Sequence, residues 1–169
     1  RAVVAAALGL LGGCASLTPP VPAADLAGRL AVTVDASAQA PARSFSADFD
    51  LRGDAERGEL RLSGPLGAML AQARWQPGRA QLDTPEGPRL FATLDDLAEA
   101  MLGEALPLAA LVEWLRGRPW AAAPSEVFAG GFAQLGWHVD QSRRAEGLIE
   151  AARERAPALS VRVRLDATP

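Results

Sequence analysis

The sequence contains no lysine, no asparagine and no tyrosine, and it has a single cysteine and a single histidine in 169 residues. A single cysteine excludes an intramolecular disulfide and a cysteine-rich zinc site. The 17 basic residues are all arginine, and they are interspersed with 20 acidic residues to give a formal net charge of -3. Nucleic-acid-binding proteins normally carry a clustered basic surface, so this distribution argues against that class of partner.

Patterns typical of catalytic or cofactor sites are missing as well. No G-x-S-x-G elbow is present, and Ser63 has no base partner near it in the sequence. His138, the only histidine, lies in an alternating segment, where a solvated side chain is the ordinary interpretation. Neither metal-ligand spacings nor phosphate-binding glycine loops occur. We therefore expect no catalytic residues, no metal and no other cofactor.

The first residues have the composition of a targeting segment. Arg1 is followed by an apolar run over residues 2–11, by small residues and by Cys14. The run is shorter than the roughly 20 apolar residues that span a bilayer, and it fits the hydrophobic region of a secretory signal peptide. We assign residues 1–13 to a signal peptide that is truncated at its N-terminus, since no initiator methionine precedes it.

The residues "LGGC" at positions 11–14 resemble the lipobox of bacterial lipoproteins, in which the cysteine is acylated and becomes the first mature residue. A buried cysteine in an ordinary helix is the alternative. Ala15 follows, and a residue other than aspartate there resembles an outer-membrane sorting signal. Residues 14–24 are proline-rich and suit an extended tether. We therefore expect the folded domain to occupy residues 25–169.

Alternating apolar and polar residues between short turns predict a run of antiparallel strands. These segments cover residues 26–34, 43–52, 59–63, 68–76, 79–84, 89–92, 134–142 and 159–166. The sequence leaves the facing of residues 68–76 ambiguous. Residues 118–131 are predicted to be a loop. Residues 148–155 remain open between a helix, which their composition favours, and a strand, which their position favours.

Helical spacing replaces the alternation in the middle of the chain, between residues 94 and 117. Thr93 and Asp96 resemble a capping box that starts a first helix, and Pro107 begins a second. Strands, two short helices and further strands in this order predict an α+β fold. We expect a curved antiparallel sheet with the helices against its concave face.

The segment "SGPLGAML" at residues 63–70 is unusual for a turn between two strands. Pro65 and Gly67 mark a tight turn, and the tips of such turns are normally polar. Leu66 occupies this tip instead. The leucine either folds back onto the core or is exposed to solvent.

Seven segments, in order along the chain, carry a family resemblance. They are LGGCAS (11–16), GRLAV (28–32), FSADFDLR (45–52), ELRLSGPLG (59–67), LPLAALVEWLRGRP (106–119), GWHV (136–139) and VRVRLD (161–166). Together they resemble the LolB family, the outer-membrane receptors for lipoproteins in Gram-negative bacteria. The chain departs from the family pattern at its end, "DATP", where the family often has an aromatic residue.

The resemblance implies an incomplete antiparallel β-barrel, or half-barrel, with a helical lid over an apolar cavity. It implies a lipid-anchored protein of the outer membrane that faces the periplasm. Such a protein accepts triacylated lipoproteins from the periplasmic carrier LolA and inserts them into the inner leaflet of the outer membrane. We expect it to be a monomer. Leu66, with Pro65 and Gly67, is implied to form a protruding membrane-insertion loop.

The apolar faces of the predicted elements supply candidates for the cavity. The candidate lining from the strands is Leu30, Val32, Phe45, Phe49, Leu60, Leu62, Trp137, Val139, Val161 and Val163. The candidate face of the lid is Leu97, Met101, Leu111 and Leu115. Each of these residues has an equally ordinary interpretation as part of a filled core.

Three other functions stay open at this point. One is a different lipid- or glycolipid-binding envelope lipoprotein on a similar half-barrel. Another is an envelope enzyme that uses Ser63 and His138, and a third is a structural lipoprotein whose core is filled. Extraction of bound lipid, turnover that depends on the serine and histidine, and the absence of a site for an apolar probe distinguish them.

Overall fold

The computed structural model describes residues 25–38 and 40–167. The predicted signal peptide, the predicted acylation site Cys14 and the proline-rich tether lie outside these described residues. Within them the predicted α+β class is confirmed, because one large antiparallel sheet carries two α-helices. None of the described helices has the length and apolar character needed to cross a membrane.

Eleven strands and two α-helices follow one another along the described residues. The first six strands are β1 (Leu26–Val34), β2 (Arg43–Gly53), β3 (Gly58–Ser63), β4 (Met69–Gln76), β5 (Arg79–Thr84) and β6 (Gly87–Phe91). The helices are α1 (Leu94–Leu102) and α2 (Leu108–Leu115). The last five strands are β7 (Ser125–Phe128), β8 (Gly131–Gln134), β9 (Trp137–Asp140), β10 (Leu148–Arg153) and β11 (Leu159–Leu165).

The sheet is an open meander with one long-range join. Its strand order is β6-β5-β4-β3-β2-β1-β11-β10-β9-β8-β7, so consecutive strands pair except β6 with β7, and β11 returns to pair with β1. At that join Val32 pairs with Val161. Among the described residues the edge strands β6 and β7 are not paired with each other, which is consistent with a half-barrel and excludes a closed one.

The two helices pack against one face of the sheet, and the sheet curves around them. In α2, the ring of Trp114 lies 6.3 Å from that of Phe132 on β8 and 5.9 Å from that of Trp137 on β9, measured between centroids. In contrast, α1 contacts β5 and β6, near the opposite edge. Because the adjacent helices touch strands from both ends of the strand order, the sheet cannot be flat.

A side-chain capping box fixes the start of helix α1. At α1, Thr93 Oγ1 accepts a hydrogen bond of 3.0 Å from the N–H of Asp96, and the Asp96 carboxylate accepts one of 3.1 Å from the N–H of Thr93. This is the predicted capping box. Helix α2 begins without a side-chain cap of its own. Burial raises the pKa of Asp95 of α1, and the backbone N–H groups of Ala109 and Leu108 act on its carboxylate and oppose this rise.

Alternation along the strands separates a buried face from a solvated one. On β2, Ala47 and Phe49 are buried, and the residues between them are more exposed. On β4, whose facing the sequence left ambiguous, Ala71, Ala73 and Trp75 turn inward. The buried faces and the two helices together form one continuous core.

Two predictions in the second half of the chain need correction. Residues 118–131 are not one loop, because β7 and the first residue of β8 lie within them. The strand predicted over residues 134–142 is divided by a tight turn at Leu135 and Gly136, and only Trp137–Asp140 forms β9. Strands of four residues contain too few alternations for the pattern to separate them from loop.

Residues 148–155, which the sequence left open, contain strand β10 over Leu148–Arg153. Ile149, Ala151 and Arg153 are buried, and the residues between them are exposed. This strand pairs with β11 on one side and with β9 on the other. The two ladders outweigh the helix preference of the composition.

Candidate functional site

An apolar pocket of about 70 Å³ lies between the helices and the inner face of the sheet. Strands β1 to β5, strand β11 and both helices contribute side chains to it. Every lining residue is alanine, valine, leucine, phenylalanine or methionine. Such a site can hold apolar groups, and it offers no side chain for acid–base or nucleophilic chemistry.

Ten of the fourteen residues predicted to surround a cavity lie around this pocket. They are Leu30, Val32, Phe45, Leu60, Leu62, Val161 and Val163 from the strands, and Leu97, Met101 and Leu111 from the helices. The lining also includes Ala71, Ala73, Leu82, Ala98, Leu102, Leu106 and Leu108, which sequence reasoning missed. Ala71 and Ala73 were missed because the facing of β4 was ambiguous in the sequence.

The other four predicted residues, Phe49, Trp137, Val139 and Leu115, do not line the pocket and are buried in the core. Helix α2, which carries Leu115, is enclosed, since residues 110–115 are all buried. Helix α1 is different, because it keeps an exposed face. Of the two helices, α1 therefore has fewer buried residues.

Arg153 ties the connection between the helices to the sheet, and sequence reasoning missed it. Its Nη1 donates a hydrogen bond of 3.0 Å to the carbonyl oxygen of Ala105, and its Nη2 lies 3.7 Å from the Glu104 carboxylate. The guanidinium carbon also lies 5.7 Å from the ring centroid of Trp137. The signal in the sequence is a charged residue at an inward position of an alternating strand.

Gln134 is a second buried polar residue with a bracing role. Its Oε1 accepts hydrogen bonds of 2.8 Å from the indole N–H of Trp114 and from the backbone N–H of Trp120. Its Nε2 donates hydrogen bonds of 2.8 Å to the carbonyl oxygens of Trp120 and Ala123. Three of these bonds hold the segment after α2 against β8, and the fourth joins Trp114 of α2 to β8, so the amide is fully used within the fold.

The turn between β3 and β4 presents Leu66 to solvent, and the leucine is fully exposed. Its backbone has φ 71° and ψ 14°, and Gly67 follows with φ 78°. Glycine adopts this left-handed conformation readily, whereas a leucine there is disfavoured by roughly 1–2 kcal/mol. Of the two alternatives that the sequence leaves open for Leu66, the structure shows exposure to solvent and not packing onto the core.

A bulge at the start of β4 directs this turn. Leu62 pairs with Ala71, whereas Ser63 pairs with Met69, so Leu70 is an extra residue between the two pairs. A bulge of this kind bends the strand and re-aims the side chains beside it. Met69 and Leu70 are both partly exposed as a result, and they extend the apolar surface that Leu66 begins.

Ser63 and His138 do not form a catalytic pair. They lie on β3 and β9, five strand-to-strand steps apart, or about 24 Å along the sheet at a typical strand spacing. The His138 ring stacks on Phe128 instead, with centroids 4.4 Å apart. Within residues 25–38 and 40–167, no group of three or more histidine, cysteine, aspartate or glutamate residues is arranged to hold a metal ion.

These features define a class, an open antiparallel half-barrel with two helices packed on its inner face and an apolar pocket between them. A family model described as "Outer membrane lipoprotein LolB" matches residues 24–165. The chain therefore belongs to the LolB family of outer-membrane lipoproteins.

Curated relatives support the same assignment. The outer-membrane lipoprotein LolB of Bordetella petrii is 35% identical over 79% of this chain and 73% of its own length. That of Bordetella pertussis is 36% identical over 80% of this chain and 74% of its own length. That of Chromobacterium violaceum is 35% identical over 81% of this chain and 79% of its own length.

Proposed function

We propose that this protein accepts the acyl chains of triacylated lipoproteins from a LolA-type periplasmic carrier and places them in the inner leaflet of the outer membrane. Acylated Cys14 anchors the protein in this leaflet through the tether of residues 14–24, and the folded domain faces the periplasm. The acyl chains enter between the sheet and the helices, which act as a lid.

The observation that carries this proposal is the wholly apolar lining of the pocket. Each acyl methylene in water costs about 0.8 kcal/mol, so three long chains cost on the order of 30 kcal/mol. A protein that receives such chains must keep them out of water throughout the transfer. An apolar interior closed by helices meets this requirement without nucleotide or covalent chemistry.

The closed pocket is too small for this cargo, so the lid must open. An apolar cavity of about 150 Å³ holds one benzene molecule, and the pocket here is about half that volume, 70 Å³. Helix α1 is the element that moves, because only Leu94, Leu97 and Ala98 of it are buried, whereas residues 110–115 of α2 are all buried. The Arg153 contacts to the connection between the helices hold the closed state.

Leu66 acts at the release step. Burying one leucine gains roughly 1.5–3 kcal/mol. That gain is too small to hold a protein on a membrane, but it is enough to bring the tip of the turn into the acyl boundary of the leaflet. The turn then perturbs the leaflet where cargo leaves the protein.

The test is the transfer of a fluorescently labelled lipoprotein from a carrier complex to this protein, and from this protein to phospholipid vesicles. The wild type completes both steps. The variant Leu66→Glu takes cargo from the carrier but fails to deliver it to vesicles. The matched control is Leu90→Glu, since Leu90 is also exposed, on edge strand β6.

Three outcomes contradict the proposal. Failure of the wild type to take lipoprotein from the carrier removes the receptor function. Recovery of a glycolipid as the extracted ligand of the purified protein favours the glycolipid-binding alternative. Normal delivery by Leu66→Glu removes the role of the turn while leaving the receptor function in place.

A further inference from the structure

The strand registers place two exposed leucine turns at the same end of the sheet. The β3–β4 turn with Leu66 follows Ser63, and the β8–β9 turn with Leu135 joins the paired residues Gln134 and Trp137. Neighbouring strands are antiparallel throughout, so the β1–β2, β3–β4, β5–β6, β8–β9 and β10–β11 connections all lie at this end. We call it the apolar end.

Leu135 repeats the unusual geometry of Leu66. Its φ is 55° and that of Gly136 is 76°, as in a type I′ hairpin turn, where Asn-Gly or Asp-Gly is the favoured pair. Leu66 and Leu135 are the two non-glycine residues with positive φ in the described part of the chain. Leu135 is 47% exposed, so burial in the core does not explain why leucine stands where asparagine fits better.

Exposed apolar side chains are concentrated at the apolar end. Of the seven large hydrophobic residues that are exposed in the described chain, five lie there: Leu66, Met69, Leu70, Met101 and Leu135. Met101 belongs to this end because the next turn of chain, at Gly103, lies against Arg43 at the start of β2. The other two, Leu90 and Val127, lie on the edge strands.

Charge is absent from the two leucine turns, although not from the rest of the apolar end. The connections 64–68 and 135–136 carry no charged side chain. The other connections at this end carry Asp35, Glu86, Glu104, Glu154 and Arg155, and Arg43 begins β2. The opposite end carries charges in both of its longer connections, at Asp54, Glu56, Arg57, Arg143, Arg144 and Glu146, besides the ion pair of Arg116 with Asp25 at 3.6 Å.

Leu135 also lies beside the part of the lid that has to move. It shares a groove of about 300 Å³ with Ala105, Pro107, Arg153 and Arg155. The first two belong to the connection between the helices. A membrane contact at Leu135 would therefore bring the lipid surface to the connection that Arg153 contacts.

We propose that the β8–β9 turn is a second membrane contact, so that Leu66 and Leu135 together set the apolar end of the half-barrel on the lipid leaflet. This inference rests on the proposed function and adds a docking orientation to it. The occupant of the surface is a phospholipid leaflet. A carrier protein bound at the same place is an outcome that the test separates.

The experiment uses the full lipidated chain on vesicles of phosphatidylethanolamine and phosphatidylglycerol. An environment-sensitive fluorophore is attached to a cysteine introduced by Leu66→Cys, Leu135→Cys or Val127→Cys, and nitroxide lipids quench it according to depth. We expect quenching at positions 66 and 135 and none at position 127. In parallel, Leu135→Glu lowers the rate of cargo delivery by about tenfold, the factor that losing the burial of one leucine implies, without changing uptake from the carrier.

The outcomes separate the two proposals. Quenching at position 66 but not at 135, with normal delivery by Leu135→Glu, overturns the second contact and leaves the proposed function standing. A Leu135→Glu variant that fails at uptake from the carrier instead shows a protein-docking surface, which also overturns this inference. Absence of quenching at both positions removes the role of the apolar end altogether.

Discussion

Arg153 Nη1 donates a hydrogen bond of 3.0 Å to the carbonyl oxygen of Ala105, joining strand β10 to the connection between the two helices. The same guanidinium donates from Nη2 to the carbonyl oxygen of Pro157 at 3.3 Å, and its Nε has no hydrogen-bond partner although it is buried. A buried donor without a partner offsets part of the stabilisation that the other contacts of this guanidinium provide. This arrangement suits a contact that holds a lid closed and is released when cargo enters.

Replacing this residue should loosen the lid. We expect Arg153→Met to lower the free energy of unfolding by about 1–3 kcal/mol, because it leaves the Ala105 carbonyl without its charged donor. Amide hydrogen exchange should accelerate over residues 103–111 more than elsewhere, and an apolar dye should enter faster. Arg155→Met is the matched control, since that arginine is exposed on the same side of the connection. Unchanged exchange in the helices would show that Arg153 does not hold them.

The buried Gln134 should contribute more to the free energy of unfolding than an exposed glutamine does. Gln134→Leu removes the acceptor of the Trp114 indole N–H and the partners of the Trp120 backbone. Buried polar groups are then left unsatisfied, and we expect a loss of about 2–4 kcal/mol in a urea titration. Gln76→Leu, at an exposed site on β4, should change stability little. Equal effects of the two variants would contradict the bracing role.

Asp95 makes stability depend on pH in a direction opposite to most carboxylates. Burial raises its pKa above 3.8, the hydrogen bonds from Ala109 and Leu108 oppose this, and the nearby Asp96 charge adds to it. The folded state therefore binds the Asp95 proton more tightly than the unfolded state does. Its contribution to stability grows as pH falls through the folded pKa toward 3.8.

The variant Asp95→Asn isolates this effect, because the asparagine side chain does not titrate in this pH range. In urea titrations at each pH, the free energy of unfolding of Asp95→Asn relative to that of the wild type should be highest near pH 7. This difference should decrease as the pH falls toward 4. Glu146→Gln should show the reverse trend. The Arg143 guanidinium lowers the pKa of Glu146 below 4.5, so the wild type loses that contribution as the pH falls through this range. If the relative stabilities of Asp95→Asn and Glu146→Gln changed with pH in the same direction, the assigned directions of the two pKa shifts would be contradicted.

Leu66 should show a conflict between stability and function. Asparagine tolerates the left-handed conformation better than leucine, and no buried contact is lost, so Leu66→Asn should stabilise the protein by about 0.5–1 kcal/mol. The same variant should deliver lipoprotein to vesicles poorly, because the apolar tip is gone. Leu90→Asn serves as the control for delivery. A destabilised Leu66→Asn protein would mean that the turn conformation does not disfavour leucine.

The sequence predicted most of this fold because strand alternation and helix spacing are local signals. The apolar faces of β1, β2 and β11 follow from two-residue alternation alone. The capping box follows from the three-residue spacing of Thr93 and Asp96. Four-residue strands such as β7 and β8 fall below the length at which a period can be recognised. Gln134 and Arg153 were missed for another reason. Apart from the carbonyl of Pro157, which follows Arg153 by four residues, their hydrogen-bond partners lie 11 to 48 residues away, and only the tertiary fold brings them together.

The pocket itself can be tested by filling it from helix α1. Ala98 is buried and lines the pocket, whereas Ala100, on the same helix, is exposed. Ala98→Phe should occupy the space that an acyl chain enters, at a cost of about 1–3 kcal/mol in stability from overpacking. We expect this variant to lose binding of an apolar dye and uptake of lipoprotein from the carrier, while Ala100→Phe retains both.

Circular dichroism and a urea titration must first show that Ala98→Phe is folded. If the folded variant still takes up lipoprotein at the rate of the wild type, the acyl chains do not enter between α1 and the sheet. The receptor function would then depend on another surface, for which the groove beside Leu135 is the next candidate. If uptake is lost but dye binding persists, the dye reports a different site and the acyl-binding assignment stands on uptake alone.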